Sequence, residues 1–321
     1  MEVVDNKCPS CGASLEYNID TQNWKCKHCR KEYNLEEVKK IKHTTKKGLS
    51  ELVCPTCNAK LITNDNIIST KCIYCRNDVI VENTHDKITK PDKIIPFKLG
   101  KKELKKVLKE YTKNKKLLPE NFDINKYVNN AQGIYIPFWL FTNKYNATVR
   151  DNNKIVKKAD VTFENIPFDA NEHLDNNLIR SIEPYDYKEL IKFDSSYLAG
   201  FIAQKYDVES NKGKKDIKER CAMSIEELFS NPKSKYAVAN NLVTETLSNE
   251  KVEYALFPLW LIDIEYDNEN YLIAVNGQTG KVSGFLPISK WKKINLNMLI
   301  FTITTIILVI LLVVLRWGGL V

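Results

Sequence analysis

Histidine is scarce in this chain: 321 residues contain four. His43, His85 and His173 have no partner at ligand spacing, and His28 sits in a turn between two cysteines. None is assigned a role, and neither a histidine-built metal site nor a histidine acid–base pair is supported. No G-x-x-x-x-G-K-[ST] loop is present, which removes support for a P-loop nucleotidase or helicase. G-x-S-x-G and H-E-x-x-H are missing too. Acidic residues are scattered, with no pair placed for general acid and base. The first residues, MEVVDNKCPS, lack the apolar core of a secretory leader, so export is not expected. With 27% charged and 43% apolar residues, a disordered composition is excluded. On these absences the chain reads as non-enzymatic.

Cysteine is plentiful. Eight of the nine form four C-x-x-C pairs, the arithmetic of metal binding rather than of disulfides. Cys8, Cys11, Cys26 and Cys29 make one set; Cys54, Cys57, Cys72 and Cys75 make another. Each set reads C-x2-C-x14-C-x2-C, and each cysteine of the second lies 46 positions after its counterpart. Four thiolates suit Zn²⁺, which takes a tetrahedron of sulfurs at about 2.3 Å and then has no open position for a catalytic water. Two Zn²⁺, one per ribbon, are expected. Gly12 and Asn58 follow the first pair of each set and tolerate the left-handed backbone of a metal knuckle. Leu15–Ile19 and Lys60–Thr63 read as short strands. So small a ribbon has almost no core, and metal worth about 10–16 kcal/mol must supply its folding energy. Redox dithiols are the alternative, but they need a βαβ context that the sequence lacks. Reduced thiols point to the cytosolic side.

The other end is greasy. Met298–Leu315 carries no charge, and as a helix it spans about 27 Å, close to the hydrocarbon thickness of a bilayer. Thr302, Thr304 and Thr305 can bond carbonyls one turn back. Lys290, Trp291, Lys292 and Lys293 precede the span; Arg316 and Trp317 follow it. These six are the expected interface anchors. The heavier positive cluster places the N-terminal bulk in the cytoplasm, as a single-pass cell-membrane protein. A buried core helix is the alternative reading of this run.

Between the ends, Leu104, Val107, Leu108 and Tyr111 recur at helical spacing among many lysines. Those lysines form either a solvated face or a contact with an anionic surface. A second repeat links YIPFWLF (Tyr135–Phe141) to LFPLWLI (Leu256–Ile262), matching Pro137 with Pro258 and Trp139 with Trp260. These aromatic strands are core, or they line a groove. Tyr271–Val275 and Lys281–Phe285 flank NGQTG, a hairpin signal. Ile217, Cys221, Ser224, Ile225 and Leu228 mark a helical stripe, on which Cys221 reads as a small apolar residue. The expected architecture is two small β-rich four-cysteine zinc ribbons (1–40 and 41–85), an α+β domain with repeated strand motifs (86–289), and one transmembrane helix with a short tail (290–321).

The cysteine sets resemble the zinc ribbon of transcription factor IIB. The whole order of ribbons, [IF]-P-[FL]-W-L-[FI] strands, VNGQTGKVSGFLP hairpin and terminal span resembles a family of bacterial TFIIB-type double zinc-ribbon membrane proteins. Members have been labelled as helicase-like primosomal proteins, which the missing P-loop contradicts here. The resemblance implies phage-shock-protein-A-like, SPFH and TPM-domain proteins as associates, and a scaffold role in membrane stress. The reading is therefore a membrane-anchored adaptor that recruits protein partners. A membrane-tethered nucleic-acid binder is the alternative, suggested by the ribbon type and the net charge of +8. Glu16, Asp20, Glu32, Glu36 and Glu37 among the ribbon lysines count against it.

Overall fold

The fold is that of a computed structural model, which describes residues 8–40, 49–54, 56–64, 69–72, 74, 78–80, 89–151, 154–230, 233 and 242–317. β1 (Leu15–Asn18), β2 (Asn23–Cys26) and β3 (Glu32–Tyr33) form an antiparallel sheet, closed by α1 (Leu35–Lys40). Asn34 and Glu37 cap α1 reciprocally, each side chain accepting from the other's backbone N–H at 2.9 and 2.8 Å. In the second ribbon β4 (Leu49–Val53) pairs with β5 (Lys60–Asn64), and β6 (Ser69–Lys71) with β7 (Asp78–Ile80). The strands expected near Leu15 and Lys60 are β1 and β5.

The domain that follows is built twice. Its first copy runs β8 (Lys93–Ile94), α2 (Lys101–Lys113), α3 (Asn125–Val128), β9 (Gln132–Asp151), β10 (Lys154–Asp169). After α4 (Asn176–Ser181) and β11 (Ile191–Lys192), the second copy runs β12 (Ile202–Gln204), α5 (Ser210–Ser230), β13 (Leu242–Tyr266), β14 (Glu269–Asn276). β15 (Val282–Gly284) and α6 (Lys290–Trp317) complete the chain's described elements. β9 and β13 pair antiparallel, with Tyr135 opposite Pro258 and Pro137 opposite Leu256. That register is unchanged when the copies are exchanged, so a pseudo-twofold passes between the two strands.

The prolines mark where each long strand changes its outer neighbour. Ahead of Pro137, β9 takes β12 as a parallel partner at Ile134 and Tyr135; beyond it, β10 pairs from Phe138. Ahead of Pro258, β13 takes β8 in parallel at Ala255 and Leu256; beyond it, β14 pairs from Leu259. A residue without an N–H suits the gap between two ladders. Each short strand thus pairs with the long strand of the other copy. The tryptophans match as well: Trp139 Nε1 donates to the Val208 carbonyl and Trp260 Nε1 to the Leu99 carbonyl, both at 2.7 Å. Both indoles are buried and hydrogen-bonded, so they are core, and Trp260 also borders a hollow between the first ribbon and the domain.

The helices carry a repeat that is easily overlooked in the sequence. KKVLKE (Lys105–Glu110) matches KKDIKE (Lys214–Glu219), and buried Leu104 and Leu108 correspond to buried Gly213 and Ile217. In α5 the buried stripe is Gly213, Ile217, Cys221, Ile225 and Phe229. Ser224 and Leu228, expected on that stripe, stand beside it. The buried face follows i, i+4 steps because α5 lies along the β9–β10–β13 arm. Gly213 admits Phe168, whose ring would lie 2.6 Å from any Cβ there. The expected hairpin forms as β14–β15, with Gly280 at φ +78°.

Both ribbons sit on one segment of the second copy. Trp24 of the first, buried, donates to the Ser196 carbonyl at 2.8 Å, and its ring meets Tyr17 and Tyr197. The Tyr17 N–H donates to Ala199 O at 3.1 Å. A few residues on, β12 pairs antiparallel with β5, so the second ribbon's hairpin continues the domain's sheet. Beside it, buried Gln204 accepts from Tyr74 and Asn171 and donates to Asp207 at 2.7 Å.

Two outcomes test this packing. Trp24→Phe removes one of the two donors to the Ser196 carbonyl, leaving the Ala199 N–H at 3.1 Å, and costs about 0.5–1.5 kcal/mol in denaturation of the whole chain, with metal content unchanged. Asp169, at the end of β10, is pushed up to about 7 by burial, with Glu183 adding to the rise and the Asn171 N–H and Arg180 opposing it. Its folded form therefore holds a proton that the unfolded chain releases near the ordinary carboxylate range, and stability falls as pH rises from about 4 to 7. Asp169→Asn should flatten that fall in thermal melts across the same window.

Candidate metal centres and membrane anchor

Three of the four C-x-x-C knuckles fall largely within the described residues and share one backbone geometry. The N–H groups of Gly12, Arg30 and Asn58 donate to the carbonyls of Cys8, Cys26 and Cys54 at 2.8, 3.1 and 2.8 Å. Each of the three residues has positive φ: +73°, +61° and +58°. Gly12 and Asn58 were expected in this role. Arg30 was not, because nothing about arginine advertises a left-handed backbone; only its place just after Cys29 does.

In the first ribbon the Sγ atoms of Cys8, Cys11, Cys26 and Cys29 all lie within 4.8 Å of one another. Cys8 and Cys29 are 3.4 Å apart, Cys11 and Cys26 3.5 Å. A tetrahedron with 2.3 Å arms has edges of about 3.8 Å, so the cage fits Zn²⁺. In the second, Cys54, Cys57 and Cys72 gather equally tightly, with 3.6 Å between Cys57 and Cys72. Cys75, the expected fourth ligand, lies outside the described residues. Two separate cysteine groups suit two zinc sites.

The first cage also shows why a cation belongs there. Burial works to raise the Cys8 thiol, but the Tyr33 hydroxyl, backbone N–H groups and Cys29 bring it down to about 6. At Cys29 the Lys31 N–H favours the thiolate, yet burial and the three neighbouring sulfurs push it up to about 12. Four thiolates at this spacing repel one another until a divalent ion sits between them. Tyr33, whose hydroxyl lies 3.3 Å from Cys8 Sγ, was not anticipated. The ninth cysteine, Cys221, is buried on α5 away from both cages. His173 approaches Asp207 at 3.6 Å rather than a sulfur cluster.

α6 provides the membrane feature. Over Lys290–Val314 it is long and apolar enough to cross a bilayer, and none of that stretch is buried by the rest of the chain. A core helix would be covered. Thr302 donates to Leu299 O, and Thr304 and Thr305 to Phe301 O, all at 2.8 Å. At the near end Lys290, Trp291 and Lys293 are exposed, while Lys292 donates to the Leu118 carbonyl at 2.9 Å. Arg316 lies on the last turn, and Trp317 is 89% exposed.

This arrangement has a relative of the same length scale. Over 316 residues the chain is 33% identical to the Bacillus subtilis (strain 168) protein described as "Uncharacterized protein YdjG", covering 90% of this chain and 92% of that one. The chain belongs to the YdjG family. No family model matches it, and no solved structure does. YdjG's description names no ligand or reaction, so the family assignment leaves the chemistry to the residues themselves.

Elemental analysis of the purified chain should find two zinc ions per molecule. Cys8→Ser or Cys54→Ser should each lower that to one, and Cys221→Ser should leave it at two.

Proposed function

We propose that the chain is a non-enzymatic, tail-anchored zinc-ribbon adaptor that recruits protein partners at the cytoplasmic face of the cell membrane. The observation that carries this reading is the docking of both ribbons on one segment, Ser196–Asp207, of a domain that ends in an uncovered apolar helix. Ribbons held this way form one rigid composite surface beside the bilayer, and confinement there raises their effective concentration for other membrane-bound proteins. A four-thiolate cage has no vacant position for substrate. The lysine cluster on the domain side of α6 and the need for reduced thiols both favour a cytoplasmic head.

The first ribbon's charges favour protein over nucleic acid. Lys27 pairs with Glu16, and Lys25 with Glu32 at 3.3 Å, so carboxylates stand beside these cations and weaken the ribbon's pull on phosphate. By the resemblance noted above, phage-shock-protein-A-like, SPFH and TPM-domain proteins are the first partners to test, with membrane stress as the setting.

In-cell crosslinking followed by purification of the full chain from membranes should enrich membrane-associated proteins, and Cys8→Ser should reduce their yield. Protease added to intact spheroplasts should leave the head uncut. Tight DNA or RNA binding by the detergent-solubilised chain, weakening steeply with salt, would instead make it a nucleic-acid tether.

A further inference from the structure

The corner where the domain meets α6 exposes apolar side chains that the head has no evident use for. Between β15 and α6 the chain reads Phe285-Leu286-Pro287-Ile288-Ser289. Leu286 packs against the core and Pro287 is buried, yet Phe285 is 75% exposed and Ile288 51%. Trp291, the second residue of α6, is 76% exposed. Lys290 and Lys293 line the same hollow of about 600 Å³ as Phe285 and Ile288. Glu269 also lines it, and its carboxylate accepts from the Tyr271 hydroxyl at 2.5 Å.

The corner is also tied to the head by hydrogen bonds. The Ser289 N–H donates to Leu117 O at 2.8 Å, and Lys292 Nζ to Leu118 O at 2.9 Å. Two adjacent carbonyls of the segment after α2 thus hold the first turn of α6. The helix leaves the head in one direction instead of swinging on a linker.

Trp291 and Trp317 stand about 39 Å apart along the helix, close to the 40–45 Å of a bilayer with its headgroup layers. Trp291 then lies at headgroup level, with Ile288 three residues before it, just ahead of the helix. Aromatic and apolar groups flanked by lysine suit that layer, the lysines meeting lipid phosphates.

We infer that this corner is a lipid-contact surface: Phe285, Ile288 and Trp291, with Lys290 and Lys293, seat the head on the headgroup layer of the bilayer that α6 enters. The inference rests on the membrane-anchored reading and adds to it a fixed posture of the head. The contact is continuous with the span, and Lys290 and Lys293 match anionic headgroups, while the carboxylates of Glu269, Glu120 and Asp267 border the same corner and set the limit on that attraction. The ribbons are then carried at a set height and tilt above the membrane.

The test places p-benzoylphenylalanine at single positions of the full chain in its native membrane, with photolysis and mass spectrometry of the adducts. Position 306, mid-span, reports on the anchor itself; position 223, exposed on α5, reports on a part of the head outside the corner. Lipid adducts at 285 and 306 and none at 223 are expected. Lipid at 306 with none at 285, or with only protein adducts at 285, overturns the seated corner and leaves the anchor standing. No lipid at 306 removes the anchor and the proposal together.

Discussion

The antiparallel pairing of β9 with β13 is the constraint on which the rest depends. Two strands with the same P-x-W pattern meet across a pseudo-twofold, and each lacks an N–H where its outer neighbour changes. Proline usually weakens a central strand. Here each proline falls in the gap between a short parallel partner and a long antiparallel one, where no ladder bond is lost. The arrangement requires each copy to lend its short strand to the other, so neither half has a complete sheet alone. Each tryptophan seals this exchange by bonding the carbonyl just ahead of a helix.

The second copy departs from the symmetry where the ribbons dock. Its short strand β12 lies between β9 and β5, while its counterpart β8 lies between β13 and β11. The same edge position thus receives a metal ribbon in one copy and a two-residue strand in the other. Ser196–Ala199, immediately before β12, takes the first ribbon through Trp24 and Tyr17. A ribbon with little apolar interior gains from this placement, since its largest side chain is buried between its own Tyr17 and the domain's Tyr197. Metal and docking then hold the ribbons at different points: zinc fixes the knuckles, and the domain fixes where the knuckles face.

Much of the site was legible in the sequence. Both cysteine sets, the knuckle residues Gly12 and Asn58, the apolar helix with its threonines, and the NGQTG hairpin are local patterns of a few residues each. The strand repeat was legible because proline and tryptophan stand out. Its helical partner, KKVLKE against KKDIKE, was hidden by substitution at the buried positions: Leu104 answers to Gly213, whose space Phe168 occupies. Arg30 escaped notice because its left-handed backbone follows from its place in a knuckle and not from its side chain. On α5 the spacing points to Ser224 and Leu228 as stripe residues, but the helix buries i, i+4 positions against the β9–β10–β13 arm.

By itself the sequence determined which of the described cysteines gather in each cluster and which stretch is long and apolar enough to cross a membrane, because both follow from spacing and composition along one short segment. Tertiary structure alone decided that the copies exchange strands, that both ribbons rest on Ser196–Asp207, and that the first turn of α6 is tied to the segment after α2. Those outcomes join groups far apart in the chain, such as Trp24 with Ser196 and Lys292 with Leu118. Contacts at such separation depend on how whole faces fit together, and no local pattern encodes that fit.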